Sequence, residues 1–205
     1  MQTILVLGSW SSGTTAVTGY IQRLGAYSCP PHFITNDPRT PDSHEPLELR
    51  NILAGCIDEA TFKPRIAEHS RVLKDFLNVW YPAKQAEAKE SGYQTIVLKH
   101  PLTALFLSEF IEICTPICLV VTRGFQDIEN TRMRRGWPPQ FGQNGAKVIY
   151  GSIFGALMHC EQSFYTISFA EFLHSARERE SMRTYLNLTK DTKGIESAER
   201  WIRHD

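Results

Sequence analysis

An apolar run, Thr3-Ile4-Leu5-Val6-Leu7, leads without interruption into Gly8-Ser9-Trp10-Ser11-Ser12-Gly13-Thr14-Thr15. The run reads as a buried strand, and the two glycines five apart read as a tight turn that opens a helix. After the turn, Val17, Tyr20, Ile21 and Leu24 fall at i, i+3, i+4 and i+7, the stripe of a packed helix, and Gly25 is the expected stop. Strand, glycine turn and helix together form the G-x-x-x-x-G frame of a phosphate-binding loop, in which backbone N–H groups converge on one anion. Thr14 stands where the nucleoside-triphosphate version carries lysine.

Three further short runs, at 94–98, 117–122 and 164–168, are rich in β-branched or aromatic residues without strict alternation. That composition fits parallel strands covered on both faces. Helical patterns separate the four runs, so the expected fold is α/β, a three-layer α/β/α arrangement around a mostly parallel sheet. Its loop and order liken it to the nucleotide hydrolases with a phosphate-binding loop. The 205 residues are expected to form a single domain, 1–205.

Between the first two runs lie less regular stretches. Residues 29–43 hold Pro30, Pro31, Pro38 and Pro41 and read as a surface loop. A short helix is expected from Glu45, with Leu47, Leu49 and Leu53 among its apolar positions. A longer one is expected from near Pro64, burying Ile66, Leu73, Phe76, Leu77 and Trp80 and ending or kinking at Pro82. Residues 83–91 read as exposed helix. Further helices are expected from Asp127 through Thr131, from about Ala146 to Cys160, over Phe169–His174, and up to Trp201.

Lysine plus arginine equals aspartate plus glutamate at 22 each, which gives no case for a nucleic-acid or membrane partner and makes any anion recognition local. Five cysteines without a C-x-x-C pair read as reduced thiols of a cytoplasmic protein, with Cys114 and Cys118 packing in the core. No charged leader and no long apolar run is present, so neither a signal peptide nor a membrane span is expected. His32, His69, His159, His174 and His204 lack ligand-like spacing, and no metal site is expected.

Polar residues fall at the ends of the runs: the 8–15 loop after the first, Lys99-His100-Pro101 after the second, and Arg123-Gly124 after the third. In open α/β sheets that edge binds ligands. A magnesium–nucleoside triphosphate site would need the absent lysine and an acidic strand end, and neither the second nor the third run ends in Asp or Glu. A ligand with one phosphate at the loop, no γ-phosphate and no metal fits these residues better.

The strand followed by Ser12-Gly13-Thr14-Thr15 and a helix resembles the phosphosulfate loop of sulfotransferases that use 3′-phosphoadenosine 5′-phosphosulfate (PAPS). In the stretch from Arg123 to Thr131, Arg123, Asp127 and Thr131 match the family's R-x-P-x-D-x-x-x-S pattern, with Phe125 in place of proline and Thr131 in place of serine. Lys99-His100-Pro101 resembles the K-D-P-R or K-T-H segments after the family's next strand. His44-Glu45 resembles a glutamate-led segment of bacterial members, and Lys193-Gly194 is a faint counterpart of a late basic segment. The match runs in order over most of residues 3–135. It implies a PAPS-dependent transferase with Ser11, Ser12, Gly13, Thr14 and Thr15 on the 5′-phosphosulfate, and Arg123 with Thr131 on the 3′-phosphate. It also implies His100 or Glu45 as base for a small-molecule or glycan-like acceptor. Ser11 departs from the family, which carries Lys or Arg there, and Lys99 is the candidate to supply that charge. A kinase with a degenerate loop and a catalytically inactive nucleotide-binding relative are the alternative readings. Arg132, Arg134 and Arg135 read as a solvated helix end, and Trp137 with Phe141 as the pin of a surface loop.

Overall fold

The structure is a computed structural model describing residues 1–38, 40–188 and 192–202; His204 lies outside the described residues. In chain order its strands are β1 (Gln2–Leu7), β2 (Ala26–Tyr27), β3 (His32–Ile34), β4 (Asp42–Pro46), β5 (Ile57–Asp58), β6 (Lys63–Pro64), β7 (Thr95–Lys99), β8 (Ile117–Thr122) and β9 (Phe164–Ser168). The helices are α1 (Thr14–Arg23), α2 (Leu47–Cys56), α3 (His69–Glu90), α4 (Leu107–Cys114), α5 (Phe125–Arg134), α6 (Gln143–His159), α7 (Phe169–His174), α8 (Ala176–Tyr185) and α9 (Thr192–Ile202). Five strands form one all-parallel sheet in the order β2-β7-β1-β8-β9, flanked by helices on both faces, as the alternating pattern predicts.

Strand β1 lies at the centre because its residues can face two cores at once. Leu5 and Leu7 point into the core shared with α2, α3, α4 and α6, while Ile4 and Val6 point to the opposite core with Val17, Tyr20 and Ile21 of α1. Strands β7 and β8 divide the same way, Leu98 and Val120 on one side, Val97 and Leu119 on the other. This two-sided burial explains the unbroken apolar runs. Gly25 closes α1 in the left-handed region at φ 96°, where a side chain would be strained. On that face α9 lies against α1, and Glu199 accepts hydrogen bonds from Tyr20, Arg179 and Arg183. Among the described residues, no helix is long and apolar enough to cross a membrane.

Several sequence expectations fail between β1 and β7. Residues 29–43 are not simply a surface loop: β3 and β4 pair as an antiparallel hairpin, and Ser43, His44 and Glu45 are buried. Glu45 therefore sits in β4 and not at a helix start; α2 begins at Leu47. The polar strand Asp42–Pro46 lacks apolar alternation because its inward side chains meet polar groups, described below. The long helix starts at His69, since Lys63–Pro64 pairs with Ile57–Asp58, and Ile66 is exposed. It runs through Pro82 without ending. Leu73, Leu77, Trp80 and Tyr81 hold it to the core, while Pro82 lies on the solvent side.

Candidate functional site

The three central strands run parallel and end on one edge of the sheet, β8 extending two residues beyond the partner of Leu7. Val6 pairs with Lys99 and Leu7 with Val120, so the loop after β1, His100 after β7 and Arg123 after β8 open on one edge. The connection after β1 leads to the β2 side of the sheet and the one after β8 to the β9 side, which makes the space between them a topological switch point.

The 8–15 loop is held tightly from below. A Cβ on Gly8 would lie 2.7 Å from Ser12 Oγ and 2.8 Å from the Val121 carbonyl. Ser12 Oγ donates inward to the Ser9 carbonyl at 2.7 Å, and its amide to the same oxygen at 3.3 Å. Gly13 takes φ 96°, and a Cβ there would collide with the Phe169 ring. Both glycines are therefore required by space, and the second also by backbone conformation. Ser11, at the crown, has φ 61°; its Oγ is buried with no hydrogen-bond partner among the described residues. No side chain caps the start of α1. The first-turn amides, with the positive end of the helix dipole, remain oriented toward the edge.

Arg123 closes the other side. Its Nη1 donates to the Ser11 carbonyl at 3.0 Å, and its guanidinium lies 5.2 Å from the Phe169 ring centroid. Thr131 is turned away: its hydroxyl donates to the Asp127 carbonyl one turn back in α5, at 2.9 Å. Among the described residues no hydrogen bond joins Arg123, just before α5, to Thr131 within it, so the two do not form a closed anion cradle.

The polar strand β4 meets the loop through Lys99. Its Nζ donates to Glu45 Oε1 at 2.7 Å, to Thr15 Oγ1 at 3.1 Å and to the Ser43 carbonyl at 3.3 Å. The Glu45 carboxylate also lies 3.7 Å from His100 Nε2. Thus Lys99, Glu45 and His100, separated in sequence, form one buried group that meets the loop at the half-buried Thr15. Burial raises the Glu45 carboxyl, yet the Lys99 ammonium and His100 outweigh it and hold the group below the usual carboxylate range. Burial pulls the His100 imidazole down to about 4, against the opposing pull of Glu45. Its Nδ1 accepts the Leu102 amide at 3.1 Å, so in the neutral ring Nε2 carries the hydrogen. His100 is therefore a neutral donor directed at Glu45.

Several participants escaped the sequence reading. Trp10, in the loop, packs on Phe141 at 4.9 Å and Phe62 at 6.0 Å between ring centroids, so Phe141 with Trp137 steadies the loop's outer side. Phe169 is the floor under Gly13; its place just after β9, on the same edge as the other strand ends, was the available signal. Arg135 is no free helix-end cation: its Nε lies 2.6 Å from Asp37 Oδ2 and its Nη2 donates to Thr40 Oγ1 at 3.1 Å. The tip of the β3–β4 hairpin is thereby clasped to the end of α5. The fold also assembles what histidine spacing did not suggest, a group of His32, Asp42 and His44 on the hairpin.

Compared with known proteins, no family model matches the chain and no curated protein matches it.

Proposed function

We propose that the chain is a PAPS-dependent sulfotransferase, binding the phosphosulfate end of the nucleotide at the 8–15 loop and passing its sulfonyl group to a hydroxyl or amine. The observation that carries this reading is Lys99 Nζ on Thr15 Oγ1 at 3.1 Å. The cation that the loop itself lacks at Ser11 arrives from the neighbouring strand, beside the first turn of α1. Loop amides, the Ser11 hydroxyl, Lys99 and Arg123 would all face a dianionic group without a metal ion in the binding set.

In the transfer, the bond from sulfur to the bridging phosphate oxygen breaks as the acceptor oxygen or nitrogen bonds to sulfur. Adenosine 3′,5′-bisphosphate leaves, with Lys99 facing the charge that develops on its 5′-phosphate. The geometry supports Glu45 over His100 as the group that takes the acceptor proton, because Glu45 is held ionised whereas His100 has Nδ1 occupied and Nε2 directed at Glu45. His100 then acts as a positioning residue. A small-molecule or glycan-like acceptor would approach from the side of Trp137 and the hairpin tip.

Calorimetric titration with adenosine 3′,5′-bisphosphate tests the reading. Saturable binding is expected without magnesium, and Arg123→Ala should weaken it by about 1.5–3 kcal/mol, the range for a hydrogen bond to a charged group. No heat at millimolar bisphosphate would overturn the proposal, and magnesium-dependent binding of ATP in its place would favour a kinase.

A further inference from the structure

The β3–β4 hairpin gathers three metal-ligating side chains that the transfer chemistry does not use. One ligand atom from each of His32, Asp42 and His44 lies within 4.8 Å of the other two. His32 Nδ1 is 2.9 Å and His44 Nδ1 3.6 Å from the same oxygen, Asp42 Oδ2. A tetrahedral ion with ligand bonds of about 2.0–2.1 Å places its ligand atoms roughly 3.3 Å apart, between those two distances.

The hydrogen bonding around these atoms is that of ligands. His32 Nε2 lies 3.0 Å from the Ser28 carbonyl, which can only accept, so Nε2 carries hydrogen and the neutral ring leaves a lone pair on Nδ1. That lone pair faces a carboxylate. A second proton on His32 would relieve this pair alone, for His44 Nδ1 remains buried with no hydrogen-bond partner among the described residues, on a residue only 5% exposed. A cation at the meeting point satisfies all three atoms. Supporting contacts are in place: Ser28 orients His32, and the His44 amide donates to Asp42 Oδ1 at 2.7 Å. The His44 ring is wedged on α1, where a Cβ at Gly19 would lie 2.9 Å from its Nε2. The Asp42 side chain is 41% exposed, leaving an open side for entry and for water as a further ligand.

We propose that His32, Asp42 and His44 bind a divalent transition-metal ion of the zinc class. Two imidazoles and one carboxylate suit such an ion, whereas magnesium and calcium require near-complete oxygen shells. Bound there, the ion ties both hairpin strands together one residue before Glu45, and the site stands whether or not the transferase reading does.

The test uses protein stripped by a chelator and titrated with cobalt(II), followed by zinc competition. One cobalt per chain is expected at micromolar or tighter affinity, with the intense visible bands of a low-coordinate nitrogen–oxygen site, displaced by zinc but not by millimolar magnesium. His44→Ala and Asp42→Asn should each weaken binding at least tenfold. Asp42→Asn keeps the Oδ1 acceptor for the His44 amide, so it decides the question if His44→Ala does not fold. Absence of saturation up to millimolar cobalt would overturn the proposal. So would affinity unchanged in Asp42→Asn, or thiolate charge-transfer bands, which would place the ion at a cysteine such as the half-buried Cys160.

Discussion

Lys99 and Glu45 are 4% and 8% exposed, so each is an ion that water scarcely reaches and that depends on the other. Breaking a buried pair from one side leaves an uncompensated charge, at a cost of about 3–5 kcal/mol. Lys99→Met is expected in that range, Glu45→Gln near its lower end because Ser43 and Thr15 still accept from Lys99. The double substitution should cost clearly less than the sum, with a coupling of about 1–3 kcal/mol. Urea unfolding of the four proteins measures it, and strictly additive costs would show that the pair is not energetically linked. His100 adds a pH dependence of known sign. Its folded value near 4 lies below the ordinary value of about 6.5, so the unfolded chain binds the extra proton between those limits. Its contribution is whole above pH 6.5 and is lost as the pH falls through 4, with Glu45, Lys99 and Arg50 as the charges facing the ring. Replacing it with asparagine, which can still accept from the Leu102 amide, should flatten the fall of stability in that window by up to about 1.4 kcal/mol per pH unit. Parallel curves for the two proteins would count against a neutral His100.

At the scale of elements, α3 shows how packing overrides local preference. Pro82 has no amide hydrogen to give and clashes with the preceding turn, a handicap of up to about 3 kcal/mol in a helix interior. Leu77, Trp80 and Tyr81 are buried immediately before it and Ala88 after it, so both halves of the helix are anchored to the same core. Pro82→Ala is therefore expected to stabilise the protein by about 1–3 kcal/mol in chemical denaturation, and a loss of stability would mean that the proline shapes a bend the core requires. The same contrast sets what could be read in advance. Strands β1, β7 and β8 were legible within a residue or so because their continuous apolar runs are buried on both faces, whereas the edge strand β9, only partly buried, was legible from its β-branched and aromatic residues. The β3–β4 hairpin was not, because Asp42, Ser43, His44 and Glu45 are polar residues buried by partners far off in sequence, and no periodicity records a partner. Of the candidate site, the strand-end rule anticipated that Lys99, His100 and Arg123 would fall on one edge of the sheet. Glu45 was found by resemblance and placed in the wrong element, and Phe169 and the His32–Asp42–His44 group were missed because they arise only when separate segments meet.

The whole molecule divides its two faces between different tasks. One carries the larger core under α2, α3, α4 and α6; the other carries α1 with α8 and α9, fastened by Glu199 to Tyr20, Arg179 and Arg183. The loop lies where the layers meet the sheet's edge, with the hairpin tip clasped to α5 across it. The position of β1 has a further consequence, for the order of events as the chain is made. Gln2 pairs with Thr95 and Ile4 with Ile117, so β1 finds its two neighbours only after a long intervening stretch of chain has followed it. Until then β1 presents two open apolar edges, the condition in which nascent chains are most exposed to aggregation. The 8–15 loop can thus take its shape only once strands made well after it have paired with β1.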